Sequence, residues 1–282
     1  MAFKIPVEDR ISTYPGRVIL TPVPGEPNTY DMVRADLPLS EGTPINKALL
    51  DNKAYALTAN VTVYVANSGS DIDGDGGADN PFATIQKAID ALPRYLNGYT
   101  ATISIGFGVY PERVTVKDFS AGRLIVGKPG EVFTIDGIDI TNSTFVETNI
   151  YQITKADGST KALFSVKDGS NVFIGSDMIL EGGDQTVNGM LVENNSHVVV
   201  ANNKKLTAND CAMAISAQWC SFVSLGEING QDNVFGMSAT QGAIVSYKTD
   251  NLGKMWSNNA DSGGLVLTGK NSSDLSDATL DL

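Results

Sequence analysis

Cysteine is nearly missing from this chain: Cys211 and Cys220 are the only two, too few for a disulfide framework and without companion ligands at zinc spacing. Both read as core thiols. Histidine is scarcer still, with His197 alone, so a Ser-His-Asp triad or a multi-histidine metal site has one centre at most. No stretch approaches the roughly 18 uninterrupted apolar residues of a transmembrane helix, which argues against membrane insertion. The start, Met1-Ala2-Phe3-Lys4-Ile5-Pro6, lacks the apolar core of a signal peptide, and the expectation is synthesis and assembly in a cytoplasm. Positive charge is also in deficit, with 20 basic against 32 acidic residues and a net charge of −12. A surface of that sign repels phosphate backbones, so nucleic acid is not an expected partner.

What is present is apolar content of 42% over 282 residues, enough for a large core, together with 28 glycines that suit a turn-rich, all-β chain. Residues 1–60 are rich in proline and short polar residues, as in Thr21-Pro22-Val23-Pro24-Gly25-Glu26-Pro27-Asn28, and should be extended and turn-broken. Within them, Thr43 to Leu57 has a capping threonine, Pro44 at the first helical position and an apolar stripe of Ile45, Ala48, Leu49 and Ala56, which predicts a short helix. Alternation in Val61-Thr62-Val63-Tyr64-Val65 then marks a strand. A second helix is expected with Asn80 as cap, Pro81 in its first turn, Ile85, Ala88, Ile89 and Leu92 on one face, and Pro93 as its end.

From Gly122 onward a small residue, a mostly polar one and an apolar triplet recur. The copies begin at Gly122, Ser143, Ser170, Ser196, Cys220, Gly242 and Gly263, advancing by 21, 27, 26, 24, 22 and 21 positions. A period of that length with variable loops predicts a right-handed parallel β-helix over 61–267, whose strands pair with the coils above and below, followed by a polar tail at 268–282. Alternation within each triplet puts its first member, Leu124, Phe145, Val172, Val198, Phe222, Ile244 or Leu265, inside. Its second members, Ile125, Val146, Phe173, Val199, Val223, Val245 and Val266, then form an outward apolar ladder, which predicts a homotrimer with that ladder as its interface. The tail, Asp274 to Leu282 in particular, or a partner chain is expected to cover the last coil edge.

The run Asn80-Pro81-Phe82-Ala83-Thr84-Ile85-Gln86-Lys87-Ala88-Ile89 resembles the entry of the pectate-lyase-like β-helix superfamily, where such a helix caps the first coil. Gly106-Phe107-Gly108-Val109-Tyr110-Pro111-Glu112 is similar to its next step. Tyr14-Pro15-Gly16-Arg17-Val18 through Gly42-Thr43-Pro44-Ile45-Asn46-Lys47-Ala48-Leu49 resembles the leader of tail fibres and tailspikes of phages infecting Gram-positive bacteria. The resemblance implies a virion protein that docks onto baseplate or tail proteins by residues 1–60. Its shaft is often a homotrimer, and its distal surface binds or cleaves bacterial surface glycan.

Candidate chemistry is thinner. Asp71, Asp73 and Asp75 with Gly76 match the first half of a calcium loop, but the twelfth position is Phe82 in place of the bidentate glutamate, so a solvated turn competes with an ion site. Arginine stops at Arg123, so the superfamily's lyase residues cannot be carried over. For glycosidase chemistry the pairs are Asp177 with Glu227, in one column with Asn203 between and about 9–10 Å apart, and Glu181 with Asp184. Neither pair stands out on an acidic chain. Asp168, Asn194, Gln218 and Thr240 form a polar column beside Gly169, Asn195, Trp219 and Gln241, and this suits sugar hydroxyls with Trp219 as a stacking face, or a structural amide ladder. His197 falls in a solvent-facing column. No cofactor is called for. The function expected is a host-surface-binding fibre subunit; a tailspike depolymerase on the same scaffold and a secreted polysaccharide lyase are the alternatives.

Overall fold

The computed structural model describes residues 11–12, 18–25, 30–34, 38–40, 56–251 and 259–268. The chain divides into two units, Lys4–Ala54 and a larger one containing Tyr55–Leu282. In the smaller, Val18–Pro22 pairs antiparallel with Tyr30–Arg34, and Ile11–Ser12 with Pro38–Ser40. The helix expected at Thr43 to Leu57 lies outside the described residues apart from its last two positions. There Ala56 bridges Tyr95, and Leu57 is buried. The tail from Gly269, with the edge cover expected of Asp274 to Leu282, also lies outside them.

The larger unit is an all-β parallel β-helix whose strands form one sheet of 19 strands wound into three ladders. The first runs Val61–Val65, Thr100–Ile105, Arg123–Val126, Val146–Thr148, Asn171–Ile174 and His197–Val200. It continues through the starts of Phe222–Gln231 and Ile244–Asn251 to Leu265–Thr268. The second includes Gln152–Thr154, Met178–Glu181, Lys205–Asn209 and the far end of Phe222–Gln231. The third includes Phe164–Lys167, Asn188–Val192, Met213–Ala217, Phe235–Thr240 and Asn259–Asp261. Alternate side chains of every ladder enter one continuous core, as in the third ladder's column of Ile138, Phe164, Met190, Ile215 and Met237.

Regular helix is almost absent among the described residues. Ile85–Asp90 forms one short helix that buries Ile85, Ala88 and Ile89 and packs against the first strands of the solenoid. Its cap is Thr84, whose hydroxyl accepts from the Lys87 N–H, and not the expected Asn80. Asn80 is occupied elsewhere: its side chain donates to the Asp73 carbonyl at 2.9 Å.

The small residues of the repeat do stack, but one residue off the expected register in the later coils. The buried column is Ser143, Ser170, Ser196, Ser221, Ala243 and Gly264. Each serine hydroxyl accepts a backbone N–H from the preceding coil. Phe119 N–H donates to Ser143, Ser143 to Ser170, Ser170 to Ser196 and Ser196 to Ser221, at 3.1–3.3 Å. At Gly264 even a Cβ would lie 2.0 Å from the Ala239 carbonyl oxygen, so the column ends in the smallest residue. The corner before Ser143 has one residue in the left-handed region, Asn142, and each later corner has two: Asp168-Gly169, Asn194-Asn195, Trp219-Cys220, Gln241-Gly242 and Ser262-Gly263.

This register corrects three expectations. Val223 pairs with Val198 and Val146 with Val172, so the inward column is Leu124, Val146, Val172, Val198, Val223 and Val245, drawn from both triplet positions. The outward ladder expected of Ile125, Val146, Phe173, Val199, Val223, Val245 and Val266 is therefore not one ladder. Val146, Val223 and Val245 are fully buried, Val266 packs against the core, and only Ile125, Phe173 and Val199 face outward. The slips have a local cause. An extra residue at Thr144-Phe145 turns Phe145 outward, and the coil from Ser196 to Ser221 is 25 residues long where 24 was read.

The second correction is that Phe222, Ile244 and Leu265, expected inside, stand outward in the column of Asn171 and His197. The third concerns thiols. Cys211 is buried and burial pushes it up to about 12, whereas Cys220 is exposed at its corner and is no core residue. Ellman's reagent should accordingly titrate one thiol per native chain at mildly alkaline pH and both after unfolding in urea, and Cys220→Ser should remove the native one. Two reactive native thiols would contradict this placement.

Candidate functional site

Two places on the solenoid carry concentrations of polar side chains. The first is the outward face of the second ladder, where alternation in Lys205-Leu206-Thr207-Ala208-Asn209 and Glu227-Ile228-Asn229-Gly230-Gln231 turns the polar members out. The pairing makes two rows, Gln152, Ile179, Thr207 and Asn229 in one, and Thr154, Glu181, Asn209 and Gln231 in the other. Lys205, Thr207, Asn209, Asn229, Gly230 and Gln231 line a shallow groove of about 400 Å³. Its amides are held in place: Asn209 Nδ2 donates to Glu181 Oε1 at 2.7 Å, Asn229 Nδ2 to Glu227 Oε1 at 2.9 Å, and the Gln231 N–H to Asn209 Oδ1 at 3.2 Å. Lys205 Nζ lies 3.1 Å from Glu227 Oε1. The sequence reading missed Thr207, Asn209, Asn229 and Gln231, although a period-two polar alternation in successive coils is the signal that identifies them.

The carboxylates proposed for glycosidic chemistry border this face in a different arrangement. Asp177 and Glu227 are two coil steps apart, as expected, but Lys205 and not Asn203 stands between them. The Lys205 N–H donates to Asp177 Oδ1 at 2.9 Å, and Lys205 pairs with Glu227 in the ladder. Glu181 is engaged by Asn209. Asp184 is bound by the Lys155 ammonium and by the Thr186 hydroxyl at 2.6 Å, and these hold it at about 2. A general acid for glycoside cleavage must carry a proton near neutral pH, and Asp184 is driven the opposite way.

Among the described residues, the carboxyl that burial pushes up is Glu112, away from both pairs, and it ties two elements of the fold together. Its two oxygens accept the Ile85 and Gln86 N–H groups at 2.7 and 2.9 Å, which tie the short helix to the strand Gly108–Lys117. A carboxyl whose folded value is raised adds full stability below the ordinary glutamate range and loses it as pH rises through the raised value. The stability of the wild type relative to Glu112→Gln should therefore fall as the pH is raised from the ordinary glutamate range upward. Urea melts of both chains that keep a constant difference over that rise in pH would refute it.

The acidic loop does not assemble a calcium site. Asp71 accepts the Ala83 and Thr84 N–H groups and the Thr84 hydroxyl, and Asp75 accepts the Gly77 N–H. Asp71, Asp73 and Asp75 thus do not converge, and no group of three or more metal-binding side chains occurs among the described residues.

The second polar place is the corner between the third and first ladders. Val192 pairs with Ala217, and the Asn195 N–H donates to the Trp219 carbonyl, so Trp219 and not Gln218 stands level with Asn194. The column reads Asp168, Asn194, Trp219, Gln241 and Ser262, with Asn194 Nδ2 donating to Asp168 Oδ1 at 2.8 Å. Gln218 sits one position earlier and donates to Ser216 Oγ at 3.1 Å. The Trp219 residue is 44% exposed. His197 is also exposed and meets the Phe222 ring edge-on, with centroids 6.3 Å apart. No family model matches the chain, and no curated protein or solved structure matches it significantly.

Proposed function

We propose that this chain is a subunit of a phage or prophage tail fibre or tailspike whose β-helix binds bacterial surface glycan. Residues 1–60 dock it onto baseplate or tail proteins, and the helix Ile85–Asp90 caps the first coil of the shaft. It is assembled in the host cytoplasm and carried on the virion. The observation that supports glycan binding is the groove on the second ladder, where Thr207, Asn209, Asn229 and Gln231 form a fixed, shallow array of donors and acceptors one coil step apart. Such a surface matches hydroxyls repeated along a polysaccharide and offers little to an apolar ligand.

Trimeric assembly belongs to the same proposal, on different residues from those first expected. Phe173, Val199, Phe222, Ile244, Leu265 and Leu267 make an outward, partly or fully exposed apolar stripe along the axis, which packing of shafts would bury. Sedimentation should give a trimer at micromolar concentration, and a stable monomer there would remove this part of the proposal.

The decisive experiment incubates the purified full chain with cell-wall and capsular glycans of candidate hosts. Calorimetry should detect binding to one of them, and Asn209→Ala combined with Asn229→Ala should weaken it at least about tenfold, or about 1.4 kcal/mol. Binding unaffected by those substitutions, or no binding to any fraction, would overturn the groove. The depolymerase reading draws on Glu181 and Glu227 at the groove's edge; new reducing ends or unsaturated products would establish it in place of simple binding.

A further inference from the structure

We infer that the Trp219 corner is a second glycan subsite, one that stacks a single neutral pyranose ring, separate from the groove on the second ladder. The inference takes only the ligand class from the reading above; the place and its geometry are independent of it.

Trp219 has φ 50° and Cys220 φ 58°, both left-handed. That conformation brings Cβ against the backbone, so it is strained for a bulky side chain and for cysteine, and is met most easily by glycine, asparagine and aspartate. The companion corners all carry glycine or asparagine at the second position (Gly169, Asn195, Gly242 and Gly263), while at the first position Asp168 and Asn194 follow this chemistry and Gln241 and Ser262 do not. Only here is the corner built from a tryptophan and a cysteine. The strain is not offset by full burial, because Trp219 keeps 44% of its surface exposed while the core is filled by other residues. A strained residue with an exposed aromatic surface is a feature that folding alone does not explain.

The surroundings specify what such a surface would take. Asn194 lies one coil step, about 4.8 Å, before Trp219, and Gln241 one step after it. Asp168 lies one step beyond Asn194 and is joined to it by the 2.8 Å hydrogen bond, which fixes an amide one coil step and a carboxylate two coil steps from Trp219. A pyranose ring has the complementary form: an apolar C–H face for the indole and equatorial hydroxyls around its rim for amide and carboxylate oxygens. An anionic sugar would meet Asp168 on a chain of net charge −12, so a neutral sugar is selected.

The test uses the full chain carrying Trp256→Phe, which leaves Trp219 as the single tryptophan. Its fluorescence is titrated with the methyl pyranosides of glucose, galactose, N-acetylglucosamine and rhamnose, and with methyl glucuronide. Saturable quenching is expected with at least one neutral pyranoside, and at least about fivefold weaker quenching with the glucuronide because of Asp168. Trp219→Asn should fold, melt at a higher temperature because asparagine suits the left-handed corner, and abolish the calorimetric signal for the same pyranoside. Asn209→Ala with Asn229→Ala should leave the Trp219 response unchanged even if it abolishes polysaccharide binding. Absence of saturable quenching by every pyranoside, or calorimetric binding retained in Trp219→Asn, would overturn the subsite. Loss of the Trp219 response in the groove variant would overturn its independence.

Discussion

Replacing Ser196 by leucine should destabilise the protein by about 2–6 kcal/mol, with two separable contributions. The first is the lost acceptor: Ser196 Oγ receives the Ser170 N–H at 3.2 Å inside the fully buried column, and no solvent can take its place. Ser196→Ala isolates that contribution, about 1–3 kcal/mol. The second is volume. Ser196 is level with Ser170 before it and Ser221 after it, each about 4.8 Å away, and a leucine there meets both copies, at a further cost of about 1–3 kcal/mol. Against a total stability of about 5–15 kcal/mol, the leucine variant is expected to be partly unfolded at room temperature. Urea titration monitored by circular dichroism measures both variants. Equal effects of alanine and leucine would show that the column tolerates volume and that the close stacking described here is wrong.

Phe164→Ala should cost about 3–5 kcal/mol and also change the shape of the unfolding transition. Phe164 is fully buried between Ile138 and Met190 in the third ladder, so its removal leaves a void between successive coils. A solenoid is held together by nearest-neighbour interfaces, and weakening one of them uncouples the coils on either side. Both tryptophans, Trp219 and Trp256, follow this point in the chain. With Trp256→Phe as background in both chains, Trp219 fluorescence should therefore report the coils after Phe164 while circular dichroism reports all of them. The two signals should coincide in the wild type and separate in Phe164→Ala. Coincident curves in the variant would mean that the solenoid melts as one unit.

The architecture was legible because the small residue before each apolar triplet is a steric requirement of stacking, and sterics leave a mark in sequence. The facing of the triplets was not legible. Register is normally fixed by alternation of apolar and polar residues, and here the outward positions Phe173, Val199, Phe222, Ile244 and Leu265 are as apolar as the inward ones. A one-residue error at Cys220 thus changed no local pattern, yet it moved Val223 and Val245 from surface to core. Trp219-Cys220 hid the corner for a related reason: neither residue type signals a left-handed conformation, whereas Asp168-Gly169 and Gln241-Gly242 do. Among the site residues, the Asp168 and Asn194 pairing was readable from the repeat. The second-ladder groove carries no comparable mark: its character is set by amides and hydroxyls, common residue types on this chain, and the carboxylates Asp177, Glu181, Asp184 and Glu227 only border it.

The three-ladder winding also determines how the unit bears load. Ladder hydrogen bonds run from coil to coil, along the solenoid axis, and the bonds between two neighbouring coils occur on all three faces. A pull along the axis is therefore shared at each level by three sets of bonds in parallel, with the levels themselves in series. A shear across the axis must break those same sets together. Tension applied to one end of the chain acts differently, since it can unwind the terminal coil one strand at a time and meets a single ladder at each step. The same molecule is thus stiff when gripped by its faces and yielding when gripped by its terminus.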